Sequence, residues 1–163
     1  SNTLGAFNMD LTEEKYTTIL SKLTNLERIN YLFLRKVTST CGIFKNNPGL
    51  TNAKNAFSSQ NLVTIAIDEF SNCKELTNVE GVFTNCAELT NMPHFRDNKK
   101  ITNFREAFAG CSKLTGSTPT DENGYKLWER AGKEGYPTAI DGTHCFQGCT
   151  QLDDYDEIPD NWK

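Results

Sequence analysis

Six cysteines and two histidines are the side chains best equipped for chemistry: Cys41, Cys73, Cys86, Cys111, Cys145 and Cys149, with His94 and His144. A thiolate is a nucleophile and a metal ligand, and an imidazole supplies its base or a further ligand. The tightest grouping is HCFQGC at residues 144–149. His144 adjoins Cys145, but adjacent side chains on a strand point to opposite faces. A cysteine nucleophile needs its base within hydrogen-bond reach. Zinc needs four ligands in tight geometry, and no second Cys/His pair accompanies this one. No phosphate loop, GxSxG elbow or HExxH pair occurs either. The even cysteine count also suits a disulfide framework, which would involve Cys41 or Cys145, the two that lie off the repeat position. The other four stand at a regular place and read as buried thiols, since unpaired cysteine behaves as a small hydrophobe.

Carboxylates concentrate in Asp153, Asp154, Asp156, Glu157 and Asp160. They lack the spacing and glycine of a calcium loop and read as a solvated acidic end. A different chemistry is available to Tyr125, Trp128 and Tyr136, and to Trp162 near the C-terminus. Flat aromatic rings stack on sugars or anchor a protein partner. They serve equally well to hold a loop down on its own fold. The sequence therefore carries no catalytic set, and the expectation is a protein that is not an enzyme, without cofactor or metal.

What positions these residues is a repeat. Three segments share one pattern: LTNAKNAFSSQNL from Leu50, LTNVEGVFTNCAEL from Leu76 and ITNFREAFAGCSKL from Ile101. An aliphatic residue, Thr and Asn come first, then an apolar residue (Ala53, Val79, Phe104). A small or aliphatic residue followed by Phe comes next, at Phe57, Phe83 and Phe108. Cys86 and Cys111 stand three residues after their Phe, and Gln60 takes that place after Phe57. The starts lie 26 and then 25 residues apart. A second half-repeat interleaves, from Leu62 through Phe70 and from Leu89 through Phe95, and sets Cys73 three residues after Phe70. In it His94 falls where Ile67 stands in the other copy, which makes His94 a ladder residue at a strand edge. CFQGCTQLDDY at residues 145–155 is a later copy. LVTIAI matches the strand signature of leucine-rich repeats through Leu62, Ile65 and Ile67, and the period falls in their range. Each turn has too few apolar residues for a core of its own, so stacked turns must bury a continuous one. The Asn of LTN suits the place where the backbone enters a strand, since its amide bonds neighbouring backbone. Asn52, Asn78 and Asn103 are expected to stack.

ELTNVEGVFTNCAELTNMPHF and ITNFREAFAGCSKLTG resemble BspA-like leucine-rich repeats, and CFQGCTQLDDYDEIPDNW is similar to the closing segment of such proteins from Bacteroides-type bacteria. The resemblance covers roughly residues 50–163. It implies an exported protein, held at the cell surface or as an outer-membrane lipoprotein, that serves adhesion and engages a host or bacterial protein, host extracellular matrix included. It assigns no catalytic residues.

The remaining segments frame the repeat. Thr12 is a helix N-cap, Glu13 and Glu14 favour the first turn, and Leu11 with Tyr16 has hydrophobic-staple spacing. Tyr16, Ile19, Leu20 and Leu23 then form one apolar face. Phe146 comes 38 residues after Phe108, which marks an insertion. Insertions in repeat proteins emerge on one face, often the binding face. The expected architecture is one α/β repeat solenoid of leucine-rich-repeat type, with short strands and short helices or turns. It comprises an N-terminal helical cap (1–30), repeats (31–114), an insertion (115–141) and a terminal repeat with C-terminal cap (142–163). Its function is expected to be protein binding through the sheet face or the insertion, or else glycan binding by Tyr125, Trp128, Tyr136 and Trp162.

Composition agrees with a soluble globular domain: 163 residues, 37% hydrophobic and 23% charged. The net charge of −4 argues against a nucleic-acid surface. Lys99, Lys100, Arg105 and Lys113 are diluted by nearby carboxylates. No run approaches the ~20 apolar residues of a membrane span, and no signal peptide is present, which leaves export open from the residues alone.

Overall fold

A computed structural model describes residues 2–5 and 10–163. Helix α1 spans Glu13–Leu20. Thr12 is extended at the N-cap, and its hydroxyl accepts the Lys15 N–H at 3.4 Å. Tyr16 and Leu20 are buried, while Ile19 is exposed, so the apolar face is narrower than its spacing suggested. The helix is tied to the body by Glu13, whose carboxylate accepts from Thr38 and from the Ser39 hydroxyl at 3.1–3.2 Å.

Strand β1 (Thr3–Gly5) pairs in parallel with β2 (Arg28–Asn30). Single parallel bridges continue the line from Arg28 to Asn52, Asn78, Asn103 and Asp141. At each asparagine the side-chain Oδ1 turns back to accept the N–H two residues on. Lys54, Glu80 and Arg105 donate at 2.9 Å, and Thr143 does the same to Asp141. Beyond the bridge, alternate residues donate to the following segment. Val79, Gly81, Phe83 and Asn85 reach the carbonyls of Asn103, Arg105, Ala107 and Ala109 at 2.7–3.0 Å. The same four places link Ala53–Ser59 to residues 78–84, and Phe104–Gly110 to residues 141–147. A second line, Val63 to Thr38, Thr90 to Val63 and Thr115 to Thr90, runs along another side.

These segments are turns rather than long strands or helices, and the backbone says why. The residues two before and two after Phe57, Phe83, Phe108 and Phe146 have positive φ: Asn55 and Ser59, Gly81 and Asn85, Glu106 and Gly110, His144 and Gly148. A left-handed residue interrupts both helix and strand. Besides α1, β1 and β2, the described chain has one-turn 3-10 helices at Leu127–Glu129, Tyr155–Glu157 and Asp160–Trp162. The strand expected over residues 62–67 is not formed. There the Asn91 side chain, not a neighbouring backbone, pairs with both the N–H and the carbonyl of Ile65. Ile67, expected to face inward, is 64% exposed.

The core is one contiguous cluster. Phe44, Phe70 and Phe95 form one column, with centroids 4.3 and 5.0 Å apart. Phe57, Phe83, Phe108 and Phe146 form a second, at 6.3, 5.7 and 5.8 Å. Burying each ring contributes ~1.5–3 kcal/mol. Trp162 extends the second column, 6.4 Å from Phe146 and nearly parallel to it. Gly142 makes room for that indole. It follows Asp141 as Ala53, Val79 and Phe104 follow their Asn, and a Cβ there would lie 1.9 Å from the Trp162 ring.

Candidate functional site

All six cysteines are free, Cys41 and Cys145 included, so no disulfide links the two that stood outside the regular spacing. Cys73, Cys86, Cys111, Cys145 and Cys149 are fully buried. Four of them act as donors: the thiols of Cys73, Cys86, Cys111 and Cys149 reach the carbonyls of Phe44, Phe57, Phe83 and Phe108 at 3.0–3.1 Å. Each carbonyl belongs to the repeat Phe of the segment before. Asn98, three residues after Phe95, does the same work with its amide, donating to the Phe70 and Cys73 carbonyls at 2.9 Å. Asn47, three residues after Phe44, and Gln60 accept instead, from the N–H of Leu26 and Leu34. Asn47 and Asn98 escaped the sequence reading, although their distance from Phe was the available signal.

Burial pushes the thiols of Cys73, Cys86 and Cys149 up to about 12, far from the depressed values of reactive cysteines. The His94 imidazole is engaged elsewhere. His94 Nδ1 accepts the Arg96 N–H at 3.0 Å, and the His94 N–H reaches the Ile67 carbonyl at 2.9 Å. Burial, followed by the Arg96 charge, lowers the His94 pKa. The His144 backbone N–H donates to the Asn161 carbonyl at 2.9 Å. Among the described residues no group of His, Cys, Asp or Glu is arranged to hold a metal ion.

The insertion is fastened at two places. At the first, the buried Asp154 carboxylate accepts from the Thr118 N–H and hydroxyl and from Lys126 Nζ at 2.7 Å. Asp154 is thus no part of a solvated acidic end, because the insertion covers it. Burial raises its pKa, but the bonds from Lys126 and Thr118 outweigh that and hold it below the usual range. At the second, Arg130 is fully buried and its guanidinium donates to the Phe95 carbonyl at 2.8 Å and the His94 carbonyl at 3.1 Å. Those carbonyls close the Phe44–Phe70–Phe95 column, where a further segment would otherwise have supplied donors. Tyr136 lies against the guanidinium, 5.5 Å from ring centre to Cζ, and its hydroxyl donates to Asp121 at 2.8 Å.

No family model, curated protein or solved structure matches this chain. The four aromatics singled out in the sequence must accordingly be judged by their surroundings. Trp162 is 5% exposed, sandwiched in the core column, and has no free face for a ligand. Trp128 is half-buried, edge-on to Phe146 and Trp162 at 6.2 and 6.5 Å. Tyr136 is half-buried over Arg130, and half-buried Tyr125 is covered by Lys133 at 5.1 Å. Trp128 packs the insertion against Phe146 and Trp162, and Tyr136 packs against Lys99 of the repeats, 5.4 Å from Nζ to ring centre.

Aromatic rings open to solvent lie at the other end of the chain. Tyr31 is 45% and Phe33 36% exposed. The rings are 6.3 Å apart with 18° between their planes. A cleft of about 160 Å³ flanks Tyr31, lined by Arg28, Asn30, Asn52, Lys54 and Asn55. Another of about 280 Å³ flanks Phe33, lined by Arg35, Ser59, Gln60 and Asn61. Among the described residues no helix is long and apolar enough to cross a membrane.

Proposed function

We propose that this chain is a leucine-rich-repeat solenoid of the BspA-like kind, acting as a non-catalytic binding or adhesion module at a bacterial surface and engaging a protein partner. The observation that carries the reading is the fate of the chemically capable side chains. Four of the six thiols are spent on carbonyls inside the core, and the His94 imidazole accepts a backbone N–H. What remains outside is a set of rows at equivalent places of successive segments. Lys54 pairs with Glu80, whose carboxylate also accepts from Asn103, and Lys100 pairs with Glu75 and Lys113 with Glu88. An extended array of polar side chains on stacked turns suits a partner of protein size. Glycan binding through Tyr125, Trp128, Tyr136 and Trp162 has less support, since Trp162 is buried and the other three are half-buried.

The reading is tested by passing laminin and collagen over the immobilised protein. Saturable binding that survives Trp128→Phe supports it. A Trp128 fluorescence change on adding oligosaccharides, with no binding of either matrix protein, would favour the glycan alternative instead.

A further inference from the structure

Two arginines at the N-terminal end of the ladder have no partner. Among the described residues, the guanidinium groups of Arg28 and Arg35 make no ion pair and no hydrogen bond, and both are exposed. Other cations nearby are engaged: Lys54 with Glu80 at 3.1 Å and Lys36 with Asp10 at 3.1 Å. Neither cleft beside Tyr31 and Phe33 has an acidic side chain among its lining residues. This is a local excess of positive charge in a chain whose net charge is −4.

Between the arginines lies the exposed Tyr31–Phe33 pair, set off by amides. Asn55 Nδ2 donates to the Tyr31 hydroxyl at 3.0 Å, which orients that ring. Asn52 uses its Oδ1 on Lys54, leaving its NH₂ group to the cleft, and Asn61 uses its NH₂ on the Arg35 carbonyl, leaving its oxygen. The strip therefore presents isolated forks for carboxylates, ring faces for C–H surfaces, and amide donors and acceptors for hydroxyls.

We propose that this strip, Arg28 to Arg35 with the facing Asn52–Asn61 segment, binds a uronic-acid-bearing saccharide. The aromatic platform stacks on pyranose faces, and each arginine takes a carboxylate in bidentate fashion. Densely sulfated chains favour runs of clustered Lys and Arg, whereas here the unpaired charges are two and separated by aromatic rings. A chain with a carboxylate on alternate sugars matches that sparseness. An acidic peptide would match the charge but would leave the ring faces without flat partners. The strip is separate from the insertion and shares only Lys54 with the outward rows of the proposed protein-binding surface. Arg28, Arg35 and Phe33 lie outside those rows, so substitutions there test the strip independently of matrix-protein binding.

The test is calorimetric titration with hyaluronan oligosaccharides at low salt, with dextran, heparin and polyglutamate as comparisons. Hyaluronan is expected to bind and dextran not to bind. Arg28→Gln and Arg35→Gln should each weaken binding by about tenfold or more, the size of a lost charged hydrogen bond. Phe33→Ala should weaken it several-fold, with laminin and collagen binding unchanged in all three variants. No heat with hyaluronan overturns the proposal. So does affinity untouched by Phe33→Ala, or polyglutamate binding as tightly as hyaluronan, which assigns the strip to acidic peptides. Heparin binding more than about tenfold tighter than hyaluronan overturns it in favour of non-specific charge. Thermal unfolding checks each variant, and Arg35→Gln, at an exposed side chain without partners, keeps the test valid should Phe33→Ala misfold.

Discussion

Three residues after each repeat phenylalanine, the chain sets a polar atom inside its core. Cys73, Cys86, Cys111, Cys149 and Asn98 all point that atom at a carbonyl one segment back. Spacing from Phe made the place legible in the sequence, because apolar periodicity counts from buried rings. The direction of the bond was not legible, since a thiol and a methyl look alike to a hydrophobic pattern. Removing the Cys111 donor leaves the Phe83 carbonyl with the Cys86 N–H as its one partner, at a cost of about 1 kcal/mol. Cys111→Val is therefore expected to lower the urea midpoint more than Cys111→Ser, which keeps a donor. Raised thiol values also set an alkaline limit. Burial moves Cys73, Cys86 and Cys149 from about 9 up to about 12. A group raised on folding stabilises fully below its unfolded value and loses that contribution as pH climbs towards the folded one. Stability should thus hold up to about pH 9 and fall progressively between 9 and 12, as the thiols of the unfolded chain ionise while the folded ones do not. Thermal midpoints measured across that range check it. Asn78 sits at the ladder's middle, with its Oδ1 on the Glu80 N–H at 2.9 Å. Asn78→Leu is expected to reduce stability by ~1–2 kcal/mol without altering partner affinity once the protein is folded.

At the scale of the element, the recurring unit is a five-residue turn centred on Phe and closed at both ends by left-handed residues. Periodicity revealed the phenylalanine but not the brackets, because Asn, Ser, Glu and His fill them as well as Gly. Three brackets are neither Gly nor Asn and are strained: Ser59 at φ 58°, Glu106 at φ 54° and His144 at φ 55°. Glu106→Gly is expected to stabilise the protein by up to about 1 kcal/mol, seen as a higher thermal midpoint. The insertion is the other element whose role depends on contacts. Its aromatics stood out in the sequence, yet Arg130, an ordinary charge in a polar stretch, does the decisive work on the His94 and Phe95 carbonyls. No local pattern announces a buried cation whose partners lie 35 and 36 residues away. Arg130→Met should leave the His94 carbonyl unpaired and the Phe95 carbonyl with the Asn98 N–H alone, cost ~2 kcal/mol, and make the insertion a preferred cleavage site in limited proteolysis.

For the molecule as a whole, the core runs without interruption from Tyr16 of α1 to Trp162. Both tryptophans, Trp128 and Trp162, sit at one end, whereas α1 reports on the other. With one contiguous core, tryptophan fluorescence and the helical circular-dichroism signal are expected to give coincident urea midpoints. Separated midpoints would mean that nearest-neighbour contacts alone hold the segments, as in loosely coupled repeat arrays. The thiols make such coupling visible at finer grain. Cys73, Cys86, Cys111 and Cys149 fall in successive segments, each shielded by the one before. An alkylating reagent reaches a given sulfur only when its own segment opens. The labelling rates of the four, taken in order along the chain, therefore read out the free energy of local opening segment by segment. The protein carries a strain gauge along its length, and it needs no foreign probe.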